Sequence, residues 1–364
     1  MSSPKEMLRS LNLPAFMPED ARRADWPALQ QKMKALLLQE EYGVIPPMEC
    51  SVKGEVKSEY CQFCAGKSTL YEVELTVTLP LGSYVFPCHF SLPNSPGPHP
   101  LFVYLDFYHA MPSRYLPIEE ITERGYAVIA ACHNLISKDA ADDYQEGLGK
   151  FLRDGAKKAG IPDEQLPGKL AIWAWAASRM LDYALTHPAI DENRTAVIGH
   201  SRLGKAALVS ALNDPRFQAV IANNSGCSGA AITREKAGEH IRDIVGVFPF
   251  WFCDNYHKYV DREDTLPFDQ HFLLAALAPR LVITGSALDD QWAGPDHEYL
   301  SCMEAGRAWE LLGLPGFVGA DRLPKPGDVF HEGSIGYHLR TGCHYLSRHD
   351  WMHYMDFLDE KGWK

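Results

Sequence analysis

The stretch Thr195-Ala-Val-Ile-Gly-His-Ser-Arg-Leu-Gly-Lys205 holds the residue types with the plainest chemical use. A short apolar run ends at Gly199, His200 intervenes, and Ser201 stands directly before a helix-forming segment, Arg202–Asn213. A serine on a sharp strand-to-helix turn is pushed outward, and the amides of the next helical turn point at any negative charge that develops on a carbonyl it attacks. Gly199 is the small neighbour such a turn requires. The second glycine of the usual pattern would fall at position 203, where Leu203 stands, with Gly204 one residue later. The competing reading is a serine that merely caps a helix.

A serine hydroxyl is a weak nucleophile until a base takes its proton. For a nucleophile on this kind of turn, an acid follows in the chain and a histidine comes last. After the apolar run Leu281–Thr284 the chain reads Gly285-Ser-Ala-Leu-Asp-Asp-Gln-Trp292, which offers Asp289 and Asp290. Ahead of the closing helix, Gly342-Cys343-His344-Tyr345 offers His344 in a loop. His338 falls in an expected strand, and His349 and His353 in the closing helix, so His344 is the best placed of the fifteen histidines to serve Ser201. Arg202 beside the serine carries a fixed fork of donors suited to an oxyanion, although it could equally pair with an acid. Lys205 lies one helical turn beyond Ser201 on the same face, before the apolar Ala206–Val209, and is either a solvated surface lysine or a buried ammonium awaiting an acceptor. Trp292 is either core or a stacking face for a sugar ring.

The elements that must hold these residues can be read from periodicity. Trp26, Leu29, Met33, Leu36 and Leu37 recur at helical spacing until Gly43 and Pro46-Pro47 stop the run. Residues 1–45 are thus a leader and one helix. Tyr71, Val73, Leu75, Val77 and Leu79 alternate, a Pro80–Ser83 turn follows, and Tyr84, Phe86, Cys88 and Phe90 alternate again, which predicts a hairpin. Beyond it come apolar runs at Leu101–Leu105, Tyr126–Cys132, Thr195–Ile198, Ala219–Ala222 and Leu281–Thr284, with helices expected at Leu170–Leu185 and Arg202–Asn213. Runs apolar on both faces and separated by helices indicate parallel strands between helical layers. The last strand is expected at Gly336–Arg340, and the closing helix near Ser347, with Asp350 completing a capping box. The class is α/β: a single domain over residues 1–364, with an N-terminal antiparallel hairpin, a mostly parallel sheet and helices on both faces. Residues 133–169 and 226–270 are long for plain connections and are expected to form cap or rim insertions.

Composition narrows the partners. The 364 residues are 46% hydrophobic and 23% charged, the mix of a globular chain, and 35 basic against 47 acidic residues give −12, which argues against a nucleic-acid partner. No apolar run is long enough to span a membrane. The first residues lack the apolar core of an export signal, and nine cysteines leave at least one unpaired, so a cytoplasmic location is expected unless a signal has been removed. Cys61-x-x-Cys64 lacks a second pair at zinc-site spacing, and the His349/His353 pair lacks the glutamate of a helical metal motif. Gly204-Lys205 is no phosphate loop, so neither metal nor cofactor is expected.

Gly199-His-Ser-Arg-Leu-Gly-Lys205 resembles the Gly-x-Ser-Arg-x-Gly-Lys signature of the glucuronoyl esterases, carbohydrate esterase family fifteen. Asn223-Asn-Ser-Gly226, Phe248–Cys253, Leu266–His271, Asp290-x-Trp292 and Gly336–Arg340 are also similar to the bacterial branch, so the likeness runs over nearly the whole chain. The resemblance implies an α/β-hydrolase fold and a serine carboxylic-ester hydrolase that cleaves esters of (4-O-methyl)glucuronate, as in lignin–xylan cross-links. It implies Ser201 as nucleophile, His344 as base, Arg202 in the oxyanion hole, and Lys205 and Trp292 on the sugar. Fungal members carry their acid near Asn223-Asn224-Ser225; this chain therefore needs the later acid, and the spacing to Trp292 favours Asp290 over Asp289. A glutamate that fungal members use on the sugar falls on Phe248 here. The implied partner is a uronate-bearing carbohydrate ester. The alternatives are an acetyl-xylan or other short-acyl esterase and, from another class, a non-catalytic glycan-binding pseudo-hydrolase.

Overall fold

The alternating segments pair as expected, and a third strand joins them. In the computed structural model, which describes residues 3–364, β1 (Ser51–Gln62), β2 (Ser68–Leu79) and β3 (Gly82–Pro93) form an antiparallel meander. It continues into β4 (His99–Asp106), β5 (Ala127–Cys132), β6 (Ile190–His200), β7 (Ala219–Asn223), β8 (Leu281–Ala287), β9 (Val329–Phe330) and β10 (Ile335–Arg340). All ten strands make one sheet in the order β1-β2-β3-β5-β4-β6-β7-β8-β10-β9. From β5 across to β10 every pair is parallel, and β3/β5 and β10/β9 are antiparallel. This is an α/β-hydrolase arrangement: a mixed sheet with a parallel centre.

The central strands are buried on both faces, and their side chains alternate between two helical layers. Val103, Leu105, Val197, Val220 and Val282 pack with the helices Lys169–Ala184, Arg202–Asn213 and Pro295–Leu311. Phe102, Tyr104, Ala196, Ile198, Ile221 and Ile283 face Trp351, Tyr354, Met355, Phe357 and Leu358 of the closing helix Arg348–Glu360. That helix starts with the expected capping box. Ser347 Oγ accepts from the Asp350 amide at 3.2 Å and the Ser347 amide donates back to Asp350 Oδ2 at 2.7 Å.

The structure adds elements that periodicity did not give. A helix at Pro4–Ser10 precedes the expected one, found at Trp26–Leu37. Residues 133–169 hold a single turn, His133–Ile136, and a helix, Gly147–Lys158. Residues 226–270 hold a helix, Ile241–Val247, and several 3₁₀ turns. Among the described residues, no helix is long and apolar enough to cross a membrane.

Candidate active site

Ser201 occupies the junction of β6 and the Arg202–Asn213 helix with φ 58° and ψ −127°, a conformation that a non-glycine residue adopts only when its surroundings impose it. The cause is the close crossing of strand end and helix start. A Cβ built on Gly199 would lie 2.0 Å from the Leu203 carbonyl oxygen, so only glycine fits. A Cβ on Gly204 would lie 3.1 Å from the Gly199 carbonyl oxygen and 3.2 Å from the Ser225 Cβ, while the Leu203 side chain is wholly buried in the core. The displaced second glycine thus serves the approach to Gly199 and to the loop after β7. The Ser201 amide donates to the Asn223 carbonyl at 2.9 Å, tying the turn to β7.

β8 and the loop after β10 deliver the acid and the histidine. The His344 ring and Asp290 meet with Nδ1 2.6 Å from Oδ2, the ring being 44% exposed and the carboxylate 6%. Asn224 Nδ2 donates to the same Oδ2 at 2.7 Å. Burial would raise the Asp290 carboxyl, but the His344 ring, Asn224 and the Ala293 amide outweigh it and hold it below its ordinary range. Asp289 is exposed, its amide spent on the Gly342 carbonyl. The His344 ring lies 4.5 Å, centroid to centroid, from that of His200, the residue immediately before Ser201. Burial, and next His344 itself, push His200 down to about 3, so it stays neutral, with Nδ1 2.7 Å from Asn223 Oδ1. The serine turn, His344 and Asp290 therefore converge at the C-terminal edge of the parallel strands, and the ring beneath His344 adds no positive charge to oppose an imidazolium.

The accessory residues divide. Lys205 is 4% exposed and donates to the Ser225 carbonyl, so it is not a solvated surface lysine. Trp292 is 56% exposed and is not core. Arg202 reaches the other way, Nη1 donating to Asp139 Oδ2 at 2.5 Å, with its guanidinium carbon 4.6 Å from the Trp251 ring and 4.9 Å from that of Phe248. Phe248 stacks flat on Trp251, with ring centroids 3.9 Å apart. Asp139 went unnoticed in the sequence: it sits in the stretch 133–169, far from any motif, and only the fold brings it to Arg202. A cavity of about 760 Å³ opens beside the His344 loop, lined by Arg114, Tyr115, Tyr345 and Arg348 among others.

His338, inside β10 as expected, is bound to Asp350 at 2.8 Å in the core. His349 and His353 face each other on the closing helix at 3.0 Å. No group of three or more His, Cys, Asp or Glu side chains among the described residues is placed to hold a metal ion, and the nine cysteines are free thiols.

The chain is similar to known proteins over most of its length. A family model described as "Glucuronyl esterase, fungi" matches residues 76–313. The chain is 44% identical over 199 residues to the carbohydrate esterase MZ0003 from an unknown prokaryotic organism, covering 55% of this chain and 46% of that protein. It is 28% identical over 307 residues to the 4-O-methyl-glucuronoyl methylesterase of Podospora anserina, covering 80% and 57%. It therefore spans about half the length of the curated relatives it matches. A solved glucuronoyl esterase from Solibacter usitatus superposes with a TM-score of 0.87 at 31% identity, over 96% of this chain and 98% of that one.

Proposed function

The chain belongs to the glucuronoyl esterase family, carbohydrate esterase family fifteen, and on that premise we propose that it is a serine carboxylic-ester hydrolase acting on (4-O-methyl)glucuronoyl esters of carbohydrates. The observation that carries this reading is the His344–Asp290 pair, 2.6 Å apart, beside the left-handed turn at Ser201.

In this reading His344 takes the Ser201 hydroxyl proton as Oγ attacks the ester carbonyl. The electron pair moves onto the carbonyl oxygen, which Arg202 and the first-turn amides of the helix stabilise. Collapse of the tetrahedral intermediate breaks the bond to the alcohol, which leaves with the proton held by His344. Water then loses a proton to His344, attacks the acyl-enzyme and displaces Ser201, which regains its proton as the uronic acid departs. Asp290 fixes the ring through Nδ1 and stabilises its cationic form. Lys205 and Trp292 bind the sugar, the one by its buried ammonium and the other by its exposed face.

The test compares hydrolysis of benzyl glucuronate with that of 4-nitrophenyl acetate, together with fluorophosphonate labelling of wild type and Ser201→Ala. The reading expects labelling that Ser201→Ala abolishes and a higher kcat/KM for the glucuronate. Preference for the acetate would assign a short-acyl esterase, and absence of labelling a non-catalytic glycan binder.

A further inference from the structure

Arg202 follows the nucleophile on the first helical turn, where an arginine left to itself would sample many rotamers. Its guanidinium is instead fixed from several sides. Nη1 is paired with Asp139 Oδ2 at 2.5 Å, and the guanidinium carbon lies 4.6 Å from the Trp251 ring and 4.9 Å from the Phe248 ring stacked on it. Asp139 is itself fixed: the Trp251 indole donates to its other oxygen, Oδ1, at 2.6 Å, so one tryptophan both supports the arginine and orients the carboxylate that holds it. His133 Nε2 stands 3.8 Å from Oδ2, and the Nδ1 of the same ring is 3.2 Å from the Asp106 carbonyl at the end of β4. The Asp139 amide donates to Asn134 Oδ1 at 2.8 Å, which pins the loop. Within this frame the Arg202 Nε–H is buried and has no partner in the protein.

We propose that Asp139 is a positioning residue for the reaction. With Trp251 locking its carboxylate, it anchors Arg202 through Nη1 and so fixes where the guanidinium next to Ser201 stands when the oxyanion forms. This rests on the reading of Arg202 as an oxyanion donor. The arrangement sets two effects of Asp139 against each other. Its negative charge weakens the field of the guanidinium, so an enzyme that used only the charge of Arg202 would gain by losing Asp139. Its hydrogen bond to Nη1, made by a carboxylate that Trp251 holds in place, fixes the position of the guanidinium, so an enzyme that depends on placement loses. Because a displacement of about 1 Å can cost on the order of a hundredfold in rate, placement outweighs charge here.

The experiment is steady-state kinetics on benzyl glucuronate for Asp139→Asn, Asp139→Ala, Asp139→Glu and Trp251→Phe, each also in the Arg202→Ala background. Asp139→Asn is expected to lower kcat by roughly ten- to a hundredfold with KM changed by less than about threefold. Asp139→Ala falls further, Asp139→Glu recovers part of the loss, and Trp251→Phe, which keeps a stacking ring but removes the indole donor, moves kcat in the same direction by a smaller factor. In the Arg202→Ala background none of these changes lowers kcat again. A kcat for Asp139→Asn equal to or above wild type, or the same fold-loss with and without Arg202, overturns the proposal. If Arg202→Ala itself keeps wild-type kcat, the reading of Arg202 has failed and the proposal falls with it. A deficit in Arg202→Ala without one in Asp139→Asn overturns the positioning role alone.

Discussion

Asp290 lies in a ring of donors. His344 Nδ1 and Asn224 Nδ2 both reach Oδ2, at 2.6 and 2.7 Å, and the Ala293 amide, which donates to the Asp290 main-chain carbonyl at 3.1 Å, also helps hold the carboxyl down. An ionised carboxyl satisfies all of them because it only accepts. An amide brings its own NH₂ group among these donors, so Asp290→Asn either sets that group against His344 and drives the ring into the wrong tautomer, or keeps its oxygen there and loses the negative charge that supports the imidazolium. In a comparable aspartate-to-asparagine change the wrong tautomer lowers turnover on the order of ten-thousand-fold. Asp290→Asn is therefore expected to lose at least as much kcat as Asp290→Ala, whose vacated space water can enter. Asp289→Asn, changing an exposed side chain outside this ring, is expected to stay within about twofold of wild type, the range of an ordinary surface substitution. A kcat for Asp290→Asn within tenfold of wild type, or a large deficit in Asp289→Asn, would remove Asp290 from its place behind the histidine.

The junction between β6 and its following helix is the element on which the serine depends, and it tolerates no added atom. Gly199→Ala would set a methyl 2.0 Å from a backbone oxygen of the helix, not against a yielding side-chain tip. The expected cost is about 3 kcal/mol, the upper end for overpacking, with catalytic activity lost as well because the turn must open to accommodate it. Gly246→Ala is the control: nothing lies within 4 Å of its added Cβ, it sits in the helix Ile241–Val247, and the change is expected to stabilise by a few tenths of a kcal/mol. Denaturant midpoints for the two variants shifting alike would contradict the argument. Elements like this junction were legible in the sequence because burial on both faces leaves an unbroken apolar run, as at Thr195–Ile198, with Gly199 and Ser201 between it and the next helix. β1 was not legible, since as an edge strand it is exposed along most of its length and Ser51–Gln62 shows no apolar face. The helix Pro295–Leu311 escaped notice because its buried face carries Glu298, Ser301 and Gly306 among its apolar residues, which blurs the period. Asp139 and its pairing with Arg202 could not be read from spacing at all, because the two lie 63 residues apart and only the fold brings them together.

Across the molecule, the N-terminal segment is coupled to the loop beside the site through a buried acid. Glu41, at the end of the turn that follows the Trp26–Leu37 helix, is wholly buried and shares its two oxygens with Gln270 Nε2, each at 3.2 Å. Tyr42, next to it, donates to the Ser228 carbonyl at 3.1 Å, in the loop that begins with the Ser225 carbonyl held by Lys205. Burial drives the Glu41 carboxyl up to about 8; hydrogen bonds from Gln270, Ser228 and Tyr42 oppose the rise and nearby Asp269 adds to it. A group whose folded value lies above its unfolded one binds a proton more tightly in the folded state. Its contribution to stability is complete below about 4.5, the ordinary glutamate value, and is lost as pH climbs through about 8. Glu41→Gln keeps the shape, removes the titration and leaves Gln270 free to turn its amide and pair with the new one. The melting temperature of Glu41→Gln is expected to match wild type near pH 5 and to exceed it increasingly from pH 6 to pH 9, with the gap levelling once the wild-type carboxyl has ionised. Parallel curves across that range would mean that Glu41 titrates normally and that the N-terminal segment is joined to the loop by packing alone.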